Sequence, residues 1–232
     1  YDIYVVRLDA AGDLLWSKTY GGPMDEFGFA LSLTPDGGCV VAGITNSFGH
    51  GSWDMYALKI DATGNLEWSR TIGGQAREEA RAIWPTNDGG FVLAGITWTH
   101  GAGSSDMYVV KLNDQGELLW TRTIGGPWND EAESVQQTSD GGYVVAGYTT
   151  SFGAGLKDAY LVRLDAAGEL LWTKVIGGPG EEVAYCVRQT PDQGYLLAGA
   201  TGSGVGTTAA PYMMKLSPTG AFEWTHAVAV NG

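Results

Sequence analysis

The sequence predicts an all-β protein, a β-propeller of four-stranded antiparallel blades, and three observations lead there. Tryptophans stand at Trp16, Trp68, Trp120, Trp172 and Trp224, each 52 residues after the last, and the register never slips. One unit holds four short β-type runs and no amphipathic segment of helical period. A meander of that size cannot bury both faces alone, whereas meanders packed face to face around an axis can. A β-solenoid would need shorter coils, and a β-sandwich would not require the unbroken register.

The third copy shows each element in order. Strand a reads Glu131 to Thr138 and ends in Ser139-Asp140-Gly141-Gly142, whose Asp-Gly pair marks a tight hairpin. Strand b, Tyr143 to Thr149, is therefore its antiparallel neighbour. A Gly-rich loop leads to strand c, Asp158 to Leu164. The turn Asp165 to Glu169 follows, where Gly168 can take the left-handed conformation of a short hairpin, and strand d begins at Leu170.

The same spacing holds for Tyr4, Tyr56, Tyr108, Tyr160 and Tyr212. Residues 1–232 read as one propeller domain: a half-blade of strands c and d at 1–20, then blades at 21–72, 73–124, 125–176 and 177–232. Strand c near Tyr4 lacks its strand b, and an unpaired edge invites pairing with another chain. The preferred reading is that upstream residues complete the blade in a longer propeller. A tolerated half-blade, or a homo-oligomer in which a second copy supplies the missing strands, stays open.

Composition narrows the partners. Lys and Arg number 13 against 26 Asp and Glu, a formal charge of -13 that repels phosphate backbones and anionic lipid headgroups, so nucleic acid is not expected. No apolar run approaches the roughly 18 residues that span a bilayer, so membrane insertion is not expected either. The chain begins at Tyr1 without a methionine, and a leader or upstream sequence is expected to have preceded it. Cys39 and Cys186 are too few for a disulfide framework or a four-cysteine zinc site and read as buried free thiols.

The unit resembles the bacterial and archaeal extracellular repeats grouped as the seven-bladed β-propeller repeat family. Asp106, Tyr108, Lys111, Leu112, Gly116 and Trp120 carry the likeness on the outer hairpin, and Asp140, Gly141, Gly142, Ala146 and Gly147 on the inner one. The resemblance implies a propeller in a secreted or cell-surface setting and no shared catalytic machinery. Two departures, Ala210 for the usual Asp before Tyr212 and Ala229-Val230 for the usual Gly-Gly, fit a terminal or capping blade.

Most charged residues recur in every blade and read as framework. Arg7, Lys59, Lys111, Arg163 and Lys215 form one basic series, and Lys18, Arg70, Arg122 and Lys174 another. The tryptophans of strand d likewise read as packing between blades. His50, His100 and His226 fall at three repeat positions without metal-ligand spacing, and no Gly-x-Ser-x-Gly elbow is present. The Gly-Gly after strand d precedes a strand, not a helix, and reads as turn chemistry.

Glu26, Glu78, Asp130 and Glu182 each open strand a, the strand that lines a propeller channel. They form the candidate metal site, a ring of carboxylates suited to a hard cation such as Ca2+; no other cofactor is expected. The competing reading has each carboxylate accept backbone amides from its own Gly-Gly loop.

The d–a and b–c connections are long, variable and on one face, where binding residues gather on a rigid scaffold. Phe48, His50, Trp53, Trp98, His100, Trp128 and Phe152 are the ligand-binding candidates there, suited to a sugar or peptide. The function expected is a non-enzymatic binding or scaffolding module, extracellular or on the cell surface, with a protein or carbohydrate partner. The alternatives are a polysaccharide-acting enzyme using Glu78 and Glu131 as acid and base, and a self-assembling structural module.

Overall fold

The structure is a computed structural model and describes residues 1–202 and 210–227. Those residues form eighteen strands and no helix. Strands β1 (Ile3–Leu8) and β2 (Leu14–Tyr20) make a two-stranded sheet. The first full blade is β3 (Glu26–Leu33), β4 (Cys39–Thr45), β5 (Asp54–Ile60) and β6 (Leu66–Ile72); the second is β7 (Glu78–Pro85), β8 (Phe91–Thr97), β9 (Asp106–Leu112) and β10 (Leu118–Ile124). The third is β11 (Asp130–Gln137), β12 (Tyr143–Thr149), β13 (Asp158–Leu164) and β14 (Leu170–Ile176), and the fourth is β15 (Glu182–Gln189), β16 (Tyr195–Thr201), β17 (Ala210–Leu216) and β18 (Phe222–Ala227). Every full blade is an antiparallel meander in chain order. Strand a of the third blade starts one residue earlier than the sequence reading, because the Asp130 amide donates to the Ser105 carbonyl and Asp130 pairs with Thr149.

The turns form as their residues dictate. After β11, Thr138 Oγ1 donates to Asp140 Oδ1 at 2.6 Å, the Gly142 amide donates to the same oxygen at 3.2 Å, and Gly141 sits at φ 85. The basic series locks this turn to strand c, through Lys59 to Asp36, Lys111 to Asp88, Arg163 to Asp140 and Lys215 to Asp192. Arg7 instead donates to the carbonyls of Gly37 and Ala62.

Blades join through a repeated apolar face. Val92, Ala94, Met107 and Val109 of the second blade pack on Ala132, Val135, Tyr143 and Val145 of the third. Each aliphatic side chain so buried contributes about 1.5–3 kcal/mol. The strand d tryptophans serve the same junctions: Trp16 and Trp68 donate their indole N–H to Ala62 and Asp114 carbonyls, both at 3.1 Å, across to the next c–d turn. Arg122, of the second basic series, donates to the Gly168 carbonyl and pairs with Glu169.

Cys39 is buried, while Cys186 is only half-buried: it stands at the repeat position of Ser134, whose hydroxyl accepts from the Val187 amide of the next blade, and among the described residues no blade follows the fourth. The Ala210 departure does not interrupt pairing, as Thr201 still faces Ala210. The Ala229-Val230 departure lies outside the described residues.

Candidate functional site

The four carboxylates that open strand a are not assembled into a ring. Each is buried and turned back into its own blade. Glu26 accepts from the Gly22 amide at 2.7 Å and Thr45 Oγ1 at 2.6 Å; Glu78 accepts from the Gly74 amide at 2.7 Å and Thr97 Oγ1 at 2.9 Å. Asp130 accepts from the Gly126 amide and Ser151 Oγ, both at 2.6 Å, and Glu182 from the Gly178 amide at 2.7 Å and Thr201 Oγ1 at 2.8 Å. Among the described residues no group of three or more His, Cys, Asp or Glu is placed to hold a metal ion. The physical reason is local: the Gly-Gly amides lie four residues away and hold one oxygen of each carboxylate within its own blade. Hydrogen bonds outweigh burial at Glu26 and hold its carboxyl below the usual range.

The aromatic candidates divide in two. Phe48, His100 and Phe152 share one repeat position, and each rests on the strand c tyrosine of its blade, at 5.9 Å from Tyr56, 5.9 Å from Tyr108 and 5.8 Å from Tyr160. They pack the loop onto the sheet, and a ligand role is not what their geometry favours. His50 is exposed, and its backbone amide donates to Asp54 Oδ2. Trp53, Trp98 and Trp128 differ, because each stands as the single aromatic residue at its repeat position among the four full blades. Trp128 is 62% exposed at the tip of its loop.

Trp53 and Trp98 converge on a residue the sequence reading did not single out. The Arg77 guanidinium lies 5.9 Å from the Trp53 ring and 5.8 Å from the Trp98 ring, a double cation–π contact. Trp53 continues to Phe27 at 5.7 Å and Phe27 to Tyr1 at 5.8 Å. On its other side Arg77 donates to Glu79 Oε1 at 2.6 Å. Glu79 also pairs with Arg81 at 3.3 Å, and Arg81 reaches Glu131 at 2.9 Å and Glu133.

The result is a continuous arc from the half-blade across three full blades, aromatic at one end and charged at the other. Three carboxylates surround Arg81. Burial works against its charge, yet Glu133, Glu131 and Glu79 hold the guanidinium above its usual value. Burial also pushes the Glu133 carboxyl up, and Arg81 offsets only part of that. Tyr148 is raised by burial and by its hydrogen bond to Glu131, and Lys157 lies 4.4 Å over its ring. Farther along β7, Trp84 lies under Arg188 of β15 at 4.8 Å.

A signal for this arc existed in the sequence. The second residue of strand a runs Phe27, Glu79, Glu131, Val183, and the fourth runs Phe29, Arg81, Glu133, Tyr185, so the repeat loses its identity on the channel side. Glu78 and Glu131, the pair for an acid–base reading, are placed apart in function. Glu78 is fully buried and bonded within its blade, while Glu131 is an ion-pair partner of Arg81.

A family profile described as outer membrane protein assembly factor BamB matches residues 2–210. The match is to that type of propeller repeat, not to the seven-bladed family that the unit resembles. The regulatory protein FlaEY of Caulobacter vibrioides is 26% identical over 171 residues, covering 63% of this chain and 18% of its own length. The chain thus spans under a fifth of that relative. Among solved structures, Sqt1 from Chaetomium thermophilum is similar at a TM-score of 0.45 and 14% identity, over 85% of this chain and 44% of that one. A variant of the Synechocystis apocarotenoid oxygenase is similar at 0.46 and 12%, over 94% and 54%.

Proposed function

The chain belongs to the family of the outer membrane protein assembly factor BamB, and on that premise we propose that it is a non-enzymatic binding propeller. Its partner is a protein segment that docks on the face carrying the d–a and b–c loops. In this reading the module works in the cell envelope or at the cell surface and needs no cofactor. The observation that carries it is the arc of Tyr1, Phe27, Trp53, Arg77 and Trp98, with Glu79, Arg81, Glu131 and Glu133 beside it. Framework residues repeat from blade to blade, and this arc is where they stop doing so. Aromatic and arginine anchors next to paired charges are the composition of a protein-recognition patch. An assembly factor as the family's description, and a regulatory protein as a relative, support a protein partner over a small molecule.

The test is a comparison of peptide and oligosaccharide arrays probed with the wild-type chain, Trp98→Ala and Arg77→Ala. Wild type is expected to retain a defined set of peptides. Each variant is expected to weaken them about tenfold or more, the usual loss for a central anchor. Retention of oligosaccharides alone, their cleavage, or equal binding by all three proteins would overturn the proposal.

A further inference from the structure

A second site lies away from the arc, at the junction of the third and fourth blades. In the first three full blades one position of the b–c connection carries a ring, Phe48, His100 and Phe152, set against the strand c tyrosine of its own blade. The ring also covers the preceding d–a connection: a methyl group on Gly22 or Gly126 would stand 2.7 Å from Phe48 Cζ or 2.8 Å from Phe152 Cζ. In the fourth blade Thr201 and Ala210 bound a connection of the same length, and the residue at that repeat position is Gly204. Residues 202–209 and 228–232 contain no aromatic residue to stand in for the ring.

The strand c tyrosine changes with it. The hydroxyls of Tyr56, Tyr108 and Tyr160 hydrogen-bond the strand d hydroxyls of Ser69, Thr121 and Thr173. In the fourth blade the equivalent Thr225 donates to the Met213 carbonyl at 3.1 Å instead. Tyr212 is 5% exposed, and its buried hydroxyl has no hydrogen-bond partner among the described residues. Burial, and then the Glu182 carboxylate, raise that hydroxyl, so it stays protonated. Beside it opens a cavity of about 330 Å³ whose walls include Ile176, Gly178, Met214 and Ala227, with Glu182 and Thr201. At the junction before it, the groove beside Tyr160 has Phe152 in its wall and reaches neither Asp130 nor Thr149, the counterparts of Glu182 and Thr201.

We propose that this cavity binds a planar aromatic ring carrying an N–H donor, a ligand of the indole class. The other three blades show the occupant of this place when it is filled, an aromatic ring over the strand c tyrosine. Size agrees: an apolar cavity of about 150 Å³ holds benzene, so this one takes a fused ring pair. Polarity decides the rest. The ligand N–H donates to the Tyr212 hydroxyl, which otherwise stays buried and unpaired. The Glu182 carboxylate, held by the Gly178 amide and Thr201 Oγ1, favours an N–H or a ring edge beside it over an anionic group.

The probe is indole itself, added to the intact chain and followed by titration calorimetry and thermal shift. Saturable binding at a single site is expected. Tyr212→Phe is expected to weaken it about fivefold, the usual worth of one hydrogen bond. Gly204→Phe supplies the ring that the other blades carry and is expected to weaken indole about tenfold or more, because the cavity is then filled, with the melting temperature kept or raised. N-acetyltryptophanamide separates the two sources of such a ring: binding as tight as that of indole assigns it to a partner's side chain, and binding of indole alone to a free small molecule. Absence of indole binding, unchanged affinity in Tyr212→Phe or in a folded Gly204→Phe chain, or cyclohexanol bound as tightly as indole would overturn the proposal.

Discussion

Asp106 on β9 and Asp130 on β11 belong to neighbouring blades, and both carboxylates close on the same glycine, Gly125. A methyl group on Gly125 would stand 2.0 Å from Asp106 Oδ1 and 2.7 Å from Asp130 Oδ2. Both aspartates are fully buried, and Oδ1 of each has no hydrogen-bond partner. The same arrangement of a strand c aspartate against the next strand a carboxylate recurs at Asp54 with Glu78 and at Asp158 with Glu182.

Burial pushes the Asp106 carboxyl up, and Asp130 adds to the shift. A carboxyl raised in the folded state favours folding while protonated, and that advantage is lost as pH rises through the folded value. Asp106→Asn keeps an acceptor for the Gly103 amide and removes one of two like charges. It is expected to raise stability at neutral pH by about 1 kcal/mol. The gain should shrink as the buffer is acidified, since wild-type Asp106 is then neutral too. Urea midpoints across pH 4 to 8, on the order of one pH unit apart, check both the sign and the trend.

Arg81 compensates three carboxylates at once. Arg81→Gln is expected to cost about 2 kcal/mol at neutral pH, because the partners stay buried without a counter-charge. The deficit should fall on acidification as Glu133, already raised by burial, takes a proton. Thermal unfolding at two pH values tests this, and a pH-independent deficit would contradict it.

Asp88 accepts from Thr86, Lys111 and the Gly90 amide, and despite some burial these contacts hold its carboxyl at about 2. A lowered carboxyl contributes stability above its unfolded value and loses it as pH falls through the folded one. Asp88→Ala is therefore expected to be less stable than wild type at pH 7 and to converge with it as pH approaches about 2. Parallel acid titrations followed by circular dichroism show whether the curves meet.

Gly95 in β8 lies against the bulge between Ala80 and Ala82, and a Cβ there would stand 1.8 Å from the Glu79 carbonyl oxygen. Gly95→Ala forces strand a away from strand b and is expected to cost about 3 kcal/mol, at the upper end of overpacking effects. Expression yield and urea midpoint report it; a shift under about 0.5 kcal/mol would mean that the bulge yields.

The four-stranded blades and their turns were legible because period and turn chemistry are local properties. Trp68 and Gly116 recur together since one packs on the other's turn. Direction was not legible. Glu26, Glu78, Asp130 and Glu182 recur at one position, and periodicity cannot say whether a carboxylate points to a shared axis or to amides four residues behind it. Phe48, His100 and Phe152 looked like variable-loop candidates because their loops vary, yet they hold one packing position. Arg77 and Arg81 escaped notice for the opposite reason: Arg77 ends a d–a connection, residues 73–77, that is no longer than the c–d turn at residues 61–65, so only the b–c connections are long as expected, and Arg81 lies on strand a among framework residues.

The most direct measurement is hydrogen exchange of the chain with and without a peptide retained on the array. Protection is expected around Trp53, Arg77 to Arg81 and Trp98, with the c–d turn at Asp61 to Asn65 unchanged. Protection confined to that turn, or release of a chemically altered peptide, would contradict a non-enzymatic partner site on the d–a and b–c face.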